Sequence, residues 1–253
     1  MPDSPAPLAR LKRRLERLER PRHSGGVRTF SFGCEAVDAR LGGGLARGAL
    51  HELCAGNAED HATASGFALM LSARASGEKP ILWVREDKGV RQHGRLYAPG
   101  MMELGIDPAR IILMTAPDTL SALRVGADIL GSMAIGAAVI EPWGEAKKLD
   151  LTASRRLVLA AEKSGVAAFV LRDTATGFAS AAATRWNVAA APSTALPGNA
   201  PGSVALAVEL ARHRGGIVPF EMMLEWNRDE QSFRKPALSR AVLPLIERRP
   251  LAA

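Results

Sequence analysis

The sequence predicts an α/β protein built on a mainly parallel β-sheet with an antiparallel C-terminal extension. From about residue 49 to residue 172, short apolar runs alternate with longer helical stretches, which is typical of parallel strands joined by crossover helices. After Arg172, strand-like segments follow one another with only turns between them. Because these turns leave no room for helices, the later strands are expected to pair antiparallel within the same sheet.

The individual elements follow in chain order. Apolar runs predict the parallel strands at 49–54, 80–85, 110–115, 137–141 and 166–171. Helical periodicity predicts helices at 62–75, 119–133 and 151–164. The later strands are predicted at 185–190, 204–212, 220–226 and 231–234. A stretch rich in proline and glycine, residues 191–202, is expected to be a loop.

Composition indicates a globular protein that needs no structural cross-links. The chain has 253 residues, of which 47% are hydrophobic, enough to bury a large core without metal or disulfide support. Its two cysteines, Cys34 and Cys54, could form one bridge at most, and no hydrophobic signal segment follows Met1. No apolar run approaches the ~20 residues of a membrane span. We therefore expect a cytoplasmic protein, which argues against secreted disulfide scaffolds and membrane proteins.

Positive charge is concentrated at the two ends of the chain. Of the net charge of +7, residues 1–22 contribute +4 and residues 234–253 another +4, which leaves −1 for the middle. Electrostatic attraction to DNA or to an acidic partner is therefore expected at the termini and not at the core. Solvated tails without a binding role are the alternative that the charge pattern leaves open.

A basic amphipathic leader helix is predicted before Pro21, followed by a linker. Its apolar stripe and neighbouring arginines are Leu8, Leu11, Arg13, Arg14, Leu15, Arg17 and Leu18. The stripe could dock on the protein's own core, on a partner helix or on an anionic surface. The C-terminal tail combines the same residue types in Leu243, Leu245, Ile246, Arg248 and Arg249. The predicted organisation is a leader at 1–24, a core at 25–233 and a tail at 234–253.

The turn after the first long strand resembles a phosphate-binding loop, GxxxxGK(S/T), that lacks the second glycine and the lysine. The segment consists of Gly56, Asn57, Ala58, Glu59, Asp60, His61, Ala62 and Thr63. His61 replaces the second glycine, and Ala62 replaces the lysine that contacts the phosphates. Glu59 and Asp60 add negative charge where phosphates would sit, so repulsion predicts weak or absent triphosphate binding.

Other patterns for catalysis or cofactor binding are weak. The five histidines show no metal-ligand spacing, and neither cysteine belongs to a CxxC pair. Glu86 and Glu141 end predicted strands at the edge where α/β sheets bind ligands. They would suit metal or water activation, or they are solvated strand-end acids or helix caps. The four tryptophans are scattered, which gives no sign of stacking on single-stranded bases. We expect no enzymatic activity, cofactor or metal.

Several segments resemble the RecA core in the same order along the chain. They are FSFGCEAVDARLGGGLARGALHEL at 30–53, ILWVRED at 81–87, IILMTAPDTLSALRVGADIL at 111–130, AAVIEPWG at 137–144 and AVELARHRGGIVPFEMMLEW at 207–226. The resemblance puts Glu86 at the family's catalytic glutamate and Glu141 at its metal-associated aspartate. It implies a RecA-like three-layer αβα sandwich over about residues 27–233.

The departures from RecA bear on function. Arg172 occupies the place of a nucleotide-sensing glutamine, and the regions of the two DNA-binding loops, 142–152 and 173–184, look shorter. A RecA core without its nucleotide switch should not build an ATP-driven filament. These losses, with a basic leader and a basic tail, resemble the ImuA family of damage-inducible mutagenesis proteins.

The ImuA resemblance implies a non-catalytic accessory protein of SOS-induced, error-prone translesion DNA synthesis. Its implied partners are an ImuB-like homologue of Y-family polymerases and an error-prone C-family DNA polymerase, the latter directly or indirectly. RecA, and DNA bound non-specifically through the basic termini, are further partners that stay open. The leader and the tail are the candidate docking elements.

Two other classes of protein remain as alternatives. A SulA-type inhibitor would bind the tubulin-like cell-division protein, but the nearly complete core argues against this shorter type of chain. An active ATPase with a divergent loop could draw positive charge from Arg172 or Arg47. It conflicts with Ala62, Glu59 and Asp60.

Overall fold

A computed structural model describes residues 28–144, 146–173, 179–196, 198 and 200–236. These residues form an α/β structure with a nine-stranded sheet, helices on both of its faces and a separate two-stranded sheet. The leader and nearly all of the tail lie outside the described residues, and so do the candidate docking residues in them. The predicted organisation into leader, core and tail therefore stays a prediction.

The elements are numbered here in chain order. The strands are β1 Thr29–Phe30, β2 Leu45–Ala46, β3 Leu50–Ala55, β4 Ile81–Glu86, β5 Ile111–Ala116, β6 Ala137–Glu141, β7 Ala167–Arg172, β8 Thr184–Ala190, β9 Ala205–His213, β10 Phe220–Asn227 and β11 Ser232–Arg234. The α-helices are α1 Glu35–Arg40, α2 His61–Ser76, α3 Asp87–His93, α4 Ala98–Glu103, α5 Thr119–Leu130 and α6 Leu151–Ser164. Short 3-10 turns cover Ala58–Asp60 and Pro108–Arg110. Among the described helices, none has the length and apolar character needed to cross a membrane.

The strand order of the large sheet is β11-β10-β9-β8-β3-β7-β6-β4-β5. The six strands from β8 to β5 are parallel, whereas β9, β10 and β11 pair antiparallel. The predicted architecture is thus confirmed in outline, with one correction. The strand predicted at 185–190 runs parallel to β3, with His51 opposite Thr184, and the antiparallel extension begins only with β9. The missing helical pattern after Arg172 predicted a turn and antiparallel pairing, but β7 and β8 both run parallel to β3 and so begin at the same end of the sheet.

Strand alternation directs side chains to two separate cores. Leu53, Trp83 and Phe169 point to the face covered by α2. Leu50 and Ile140 point to the opposite face, which α5 and α6 cover. The described residues therefore form three layers, helix on sheet on helix, with a hydrophobic core on each side of the sheet.

Local capping explains where the main helices begin and end. The side chain of Asp150 accepts a hydrogen bond from Ala153 N at the start of α6, and Gly165 ends that helix with φ +75°. Helix α5 ends at Leu130, before the predicted residue 133, because Gly131 caps it. The sequence pattern did not predict α3 and α4, whose six or seven residues are too few to show a helical period.

The buried side chain of His51 links strand β3 to strand β8. His51 Nε2 lies 2.9 Å from the carbonyl oxygen of Ala46, which can only accept, so this nitrogen carries the proton. Nδ1 then accepts from the hydroxyl of Thr184 at 2.8 Å, and that hydroxyl accepts from the indole N–H of Trp186 at 3.0 Å. The network is complete only while His51 is neutral.

We expect acid to destabilise the fold through His51. Burial lowers the pKa of His51 from 6.5 to about 4, so below pH 6.5 the unfolded chain binds a proton that the folded chain does not. The stability that neutral His51 contributes to the fold is complete above pH 6.5 and is lost as the pH falls from 6.5 towards 4. At about 1.4 kcal/mol per pKa unit, the loss is roughly 3 kcal/mol. Chemical denaturation of the wild type and of His51→Gln across this range measures it. A pH dependence equally steep in both proteins would contradict the prediction.

Candidate functional site

The candidate site lies at the carboxyl edge of the parallel strands, on the face that α2 covers. Strand alternation brings Trp83 and Arg85 of β4 to this face, together with Glu141 at the end of β6. Arg85 and Glu141 are direct partners in the register of the two strands. His61, the first residue of α2, projects into the same place from above the sheet.

Glu141 is enclosed by hydrogen bonds from three side chains. Arg85 Nε and Nη2 donate to its two carboxylate oxygens at 2.8 and 2.7 Å, a bidentate pair, and the indole N–H of Trp83 donates at 2.8 Å. His61 Nε2 lies 3.2 Å from Oε1. Burial would raise the pKa of Glu141, but the hydrogen bonds from His61 and Arg85 hold it below its usual value. The carboxylate is therefore ionised, buried and fully engaged.

A second carboxylate lies on the other side of the His61 ring. Asp173, just after β7, approaches His61 Nδ1 to 2.8 Å with Oδ1 and accepts from Gly144 N at 3.0 Å with Oδ2. Burial would lower the pKa of His61, but the contacts with Asp173 and Glu141 raise it to about 9. His61 is therefore an imidazolium between two carboxylates, and with Arg85 it balances their charge.

His93 completes the cluster from the end of α3. Its ring stacks on His61 with centroids 3.5 Å apart and planes within 8°, and its Nε2 lies 3.4 Å from Asp173 Oδ1. Burial and the neighbouring positive charge of His61 lower the pKa of His93. Arg85 Nη1 also donates to the carbonyl of Gly94 at 2.7 Å, which fixes the end of α3 beside the site.

The loop at 56–63 uses its own polar groups internally. Asn57 Oδ1 accepts from the backbone amides of Glu59 and Asp60 at 2.8 and 3.0 Å. Asp60 is buried, and its Oδ1 accepts from Ala190 N at 2.8 Å, while Glu59 is exposed. Two amides that a phosphate-binding loop would turn towards its ligand are thus already occupied.

The remaining predicted pocket residues lie elsewhere. Glu86 accepts from Thr119 Oγ1 at 2.7 Å and from Trp143 N at 3.1 Å, and it does not contact Glu141 in the described structure. Arg172 lies on the face of α6, where its Nε is 3.4 Å from the buried carboxylate of Glu52. Arg185 Nε lies 2.8 Å from Glu52 Oε2, so the α6 face of the sheet has an ion cluster of its own.

The structure brings together only part of the predicted pocket. His61 and Glu141 are in contact with each other. Glu86 and Arg172 point to the opposite face of the sheet, where they contact Thr119 and Glu52. Sequence reasoning did not single out the principal partners, Trp83, Arg85, His93 and Asp173. Alternation along β4 contains a signal for Arg85, since a residue next to Glu86 in a strand must point to the opposite face.

Two cavities in the described part of the chain lie beside the loop at 56–63. One of about 460 Å³ runs along α2 and is lined by Ala62, Thr63 and Gly66 together with residues of the segment after β8. Another of about 510 Å³ lies between Gly56 and the strands β8 to β10. Neither of these two cavities is lined by Glu86 or Glu141.

Comparison with known proteins identifies close relatives. Two proteins named "Protein ImuA", from two strains of Caulobacter vibrioides, are each 35% identical to this chain over 217 residues. The match covers 76% of this chain and 82% of each relative. No family model matches the chain.

Proposed function

The chain belongs to the ImuA family, and on that premise we propose that it is a non-catalytic accessory protein of damage-induced mutagenesis. In this proposal it acts in error-prone translesion DNA synthesis through protein contacts. One observation carries the non-catalytic part: Glu141, which the resemblance to RecA puts at a metal-associated position, is buried and held by Arg85, Trp83 and His61.

Three further features support a protein that works without nucleotide. The lysine position of the loop holds Ala62, so the fixed cation that would meet the β- and γ-phosphates is missing. The amides of Glu59 and Asp60 donate to Asn57. Glu86, which the resemblance to RecA puts at the catalytic glutamate, accepts hydrogen bonds from Thr119 Oγ1 and Trp143 N. Nucleotide binding would have to break several of these contacts before it gained any phosphate contact.

The proposed partners are an ImuB-like homologue of Y-family polymerases and, directly or through it, an error-prone C-family DNA polymerase. RecA is a further proposed partner. We assign docking to the leader and the tail, because both combine leucine or isoleucine with arginine beyond a core whose net charge is near zero.

Affinity capture from DNA-damaged cells tests the proposal. Full-length protein is compared with proteins lacking residues 1–22 or 236–253, and the captured proteins are identified by mass spectrometry. We expect the full chain to recover a polymerase-like partner and one of the two deletions to lose it. Recovery of the tubulin-like division protein in its place would contradict the proposal and favour a SulA-type inhibitor.

A matched pair of leader variants separates apolar from electrostatic docking. Leu11→Ser with Leu15→Ser interrupts the apolar stripe, whereas Arg13→Ser with Arg17→Ser removes two charges and leaves the stripe intact. If the leader docks on a partner through its leucines, the first variant loses the partner and the second keeps it. Equal recovery by the wild type and both variants would assign docking to the tail.

DNA binding through the basic termini predicts a steep salt dependence. The leader holds seven of the basic residues, and each phosphate contact contributes a slope of about −0.9 to log K against log salt concentration. Deleting residues 1–22 should therefore flatten the slope by several units on duplexes of unrelated sequence. Fluorescence anisotropy at several salt concentrations measures this. An unchanged slope in the deletion protein would contradict leader contact with DNA.

A further inference from the structure

We propose that His61, His93 and Asp173 form a binding site for a divalent transition-metal ion, with Zn²⁺ the best match. One ligand atom from each residue can be chosen so that all three lie within 4.8 Å of one another. The residues come from the start of α2, the end of α3 and the segment after β7, so only the folded chain assembles them. Their separation along the sequence explains why histidine spacing predicted no metal site.

The distances from Asp173 to the two histidines suit one small ion. Asp173 Oδ1 lies 2.8 Å from His61 Nδ1 and 3.4 Å from His93 Nε2. Two donors bound to one Zn²⁺ at about 2.1 Å lie roughly 3 to 3.5 Å apart in tetrahedral geometry. An ion placed between Asp173 Oδ1 and His61 Nδ1 would therefore need only small shifts of the carboxylate and of the His61 ring.

A buried nitrogen in this cluster, His61 Nδ1, is paired with a carboxylate outside good hydrogen-bond geometry. His61 Nδ1 is shielded from solvent, and its 2.8 Å contact with Asp173 Oδ1 lacks hydrogen-bond geometry. A buried polar atom left in this way usually indicates a missing partner. A metal ion that takes the place of the Nδ1 proton would satisfy it, together with the carboxylate of Asp173.

The surroundings are those of a supported metal ligand. A metal-binding histidine normally has its other ring nitrogen held by a carboxylate, and His61 Nε2 lies 3.2 Å from Glu141 Oε1. Arg85 and Trp83 fix Glu141 in turn. The second oxygen of Asp173 accepts from Gly144 N, which leaves Oδ1 directed towards the two histidines.

One ligand must turn for the ion to bind. The rings of His61 and His93 are parallel, so a single ion cannot lie in both ring planes. The side chain of His93 is 22% exposed, whereas that of His61 is 7% exposed, so we assign the rotation to His93. Two imidazoles and one carboxylate suit Zn²⁺, which would keep one position for water. The ion would clamp α2, α3 and the end of β7 together.

The test uses tag-free full-length protein stripped with a chelator and titrated with Zn²⁺ by calorimetry. We expect one ion per chain and a rise in melting temperature with Zn²⁺ concentration. His93→Gln, which leaves the contacts of Glu141 intact, should weaken binding at least tenfold and abolish the melting shift. Co²⁺ in place of Zn²⁺ should give visible absorption typical of a tetrahedral site in the wild type only.

His213→Gln is the control, because His213 is a partly accessible histidine that lies outside the three-residue cluster. It should bind one ion with unchanged affinity. Binding that is weaker than micromolar in the wild type, or equally strong in His93→Gln, would overturn the proposal. Equally strong binding by His93→Gln would place the ion elsewhere and leave His61 as the cation of an ion cluster that holds no metal.

Discussion

Replacing Arg85 with methionine is expected to lower the free energy of unfolding by about 3–5 kcal/mol, the usual cost of leaving a buried charge without its partner. Arg85 is 3% exposed and provides both hydrogen bonds of the bidentate pair with Glu141. Methionine fills a similar volume but cannot neutralise the carboxylate. The loss is measured by chemical denaturation at neutral pH.

Two further variants show whether the buried charge is the cause. Arg91→Met is the matched control, since Arg91 pairs with Asp87 at 2.6 Å but is 79% exposed, and its removal should change stability by less than ~1 kcal/mol. Adding Glu141→Gln to Arg85→Met removes the unpaired charge and should recover part of the loss. Equal effects of Arg85→Met and Arg91→Met would contradict the account of a charged site buried within the fold.

Trp186→Ala is expected to cost about 3–5 kcal/mol through the cavity that it leaves in the core on the α2 side. Trp186 is fully buried in β8, with Phe32, Phe67 and Phe220 at centroid distances of 5.5, 6.4 and 5.9 Å. These three rings come from three separate parts of the chain, so they cannot close around alanine without moving several elements. Denaturant unfolding of the variant measures the cost.

Trp186→Phe separates the packing contribution from the hydrogen bond. Phenylalanine keeps most of the aromatic contacts but removes the N–H donor to Thr184 Oγ1. The free energy of unfolding should therefore fall between those of the wild type and Trp186→Ala. A Trp186→Phe variant as unstable as Trp186→Ala would show that the network through Thr184 and His51 outweighs packing.

Most of the fold could be predicted from the sequence because apolar periodicity determines where strands and helices occur. The strand predicted at 137–141 and the helix at 151–164 match β6 and α6, and the other four strands predicted to be parallel differ by one residue at each end. The direction of β8 could not be predicted, since it depends on where the chain after Arg172 returns to the sheet. Short helices such as α3 carry too little periodicity to be seen.

The candidate site could be predicted only in part because its contacts join residues far apart in the sequence. The loss of the phosphate-binding lysine at Ala62 is visible from local sequence alone. That His61 would lie between Glu141 and Asp173 depends on the order of β6 and β7 in the sheet. The separation of Glu86 from Glu141 also follows from the structure, which pairs Glu86 with Thr119.

Nucleotide binding tests the central claim most directly, namely that this chain works without nucleotide because its own side chains occupy the site. A fluorescent ATP analogue is titrated with Mg²⁺ present, and a RecA protein that binds ATP serves as positive control. The account predicts no saturable binding by this chain up to millimolar nucleotide. Micromolar binding would contradict it, and its loss in Glu86→Ala would favour the alternative of an ATPase with a divergent phosphate loop.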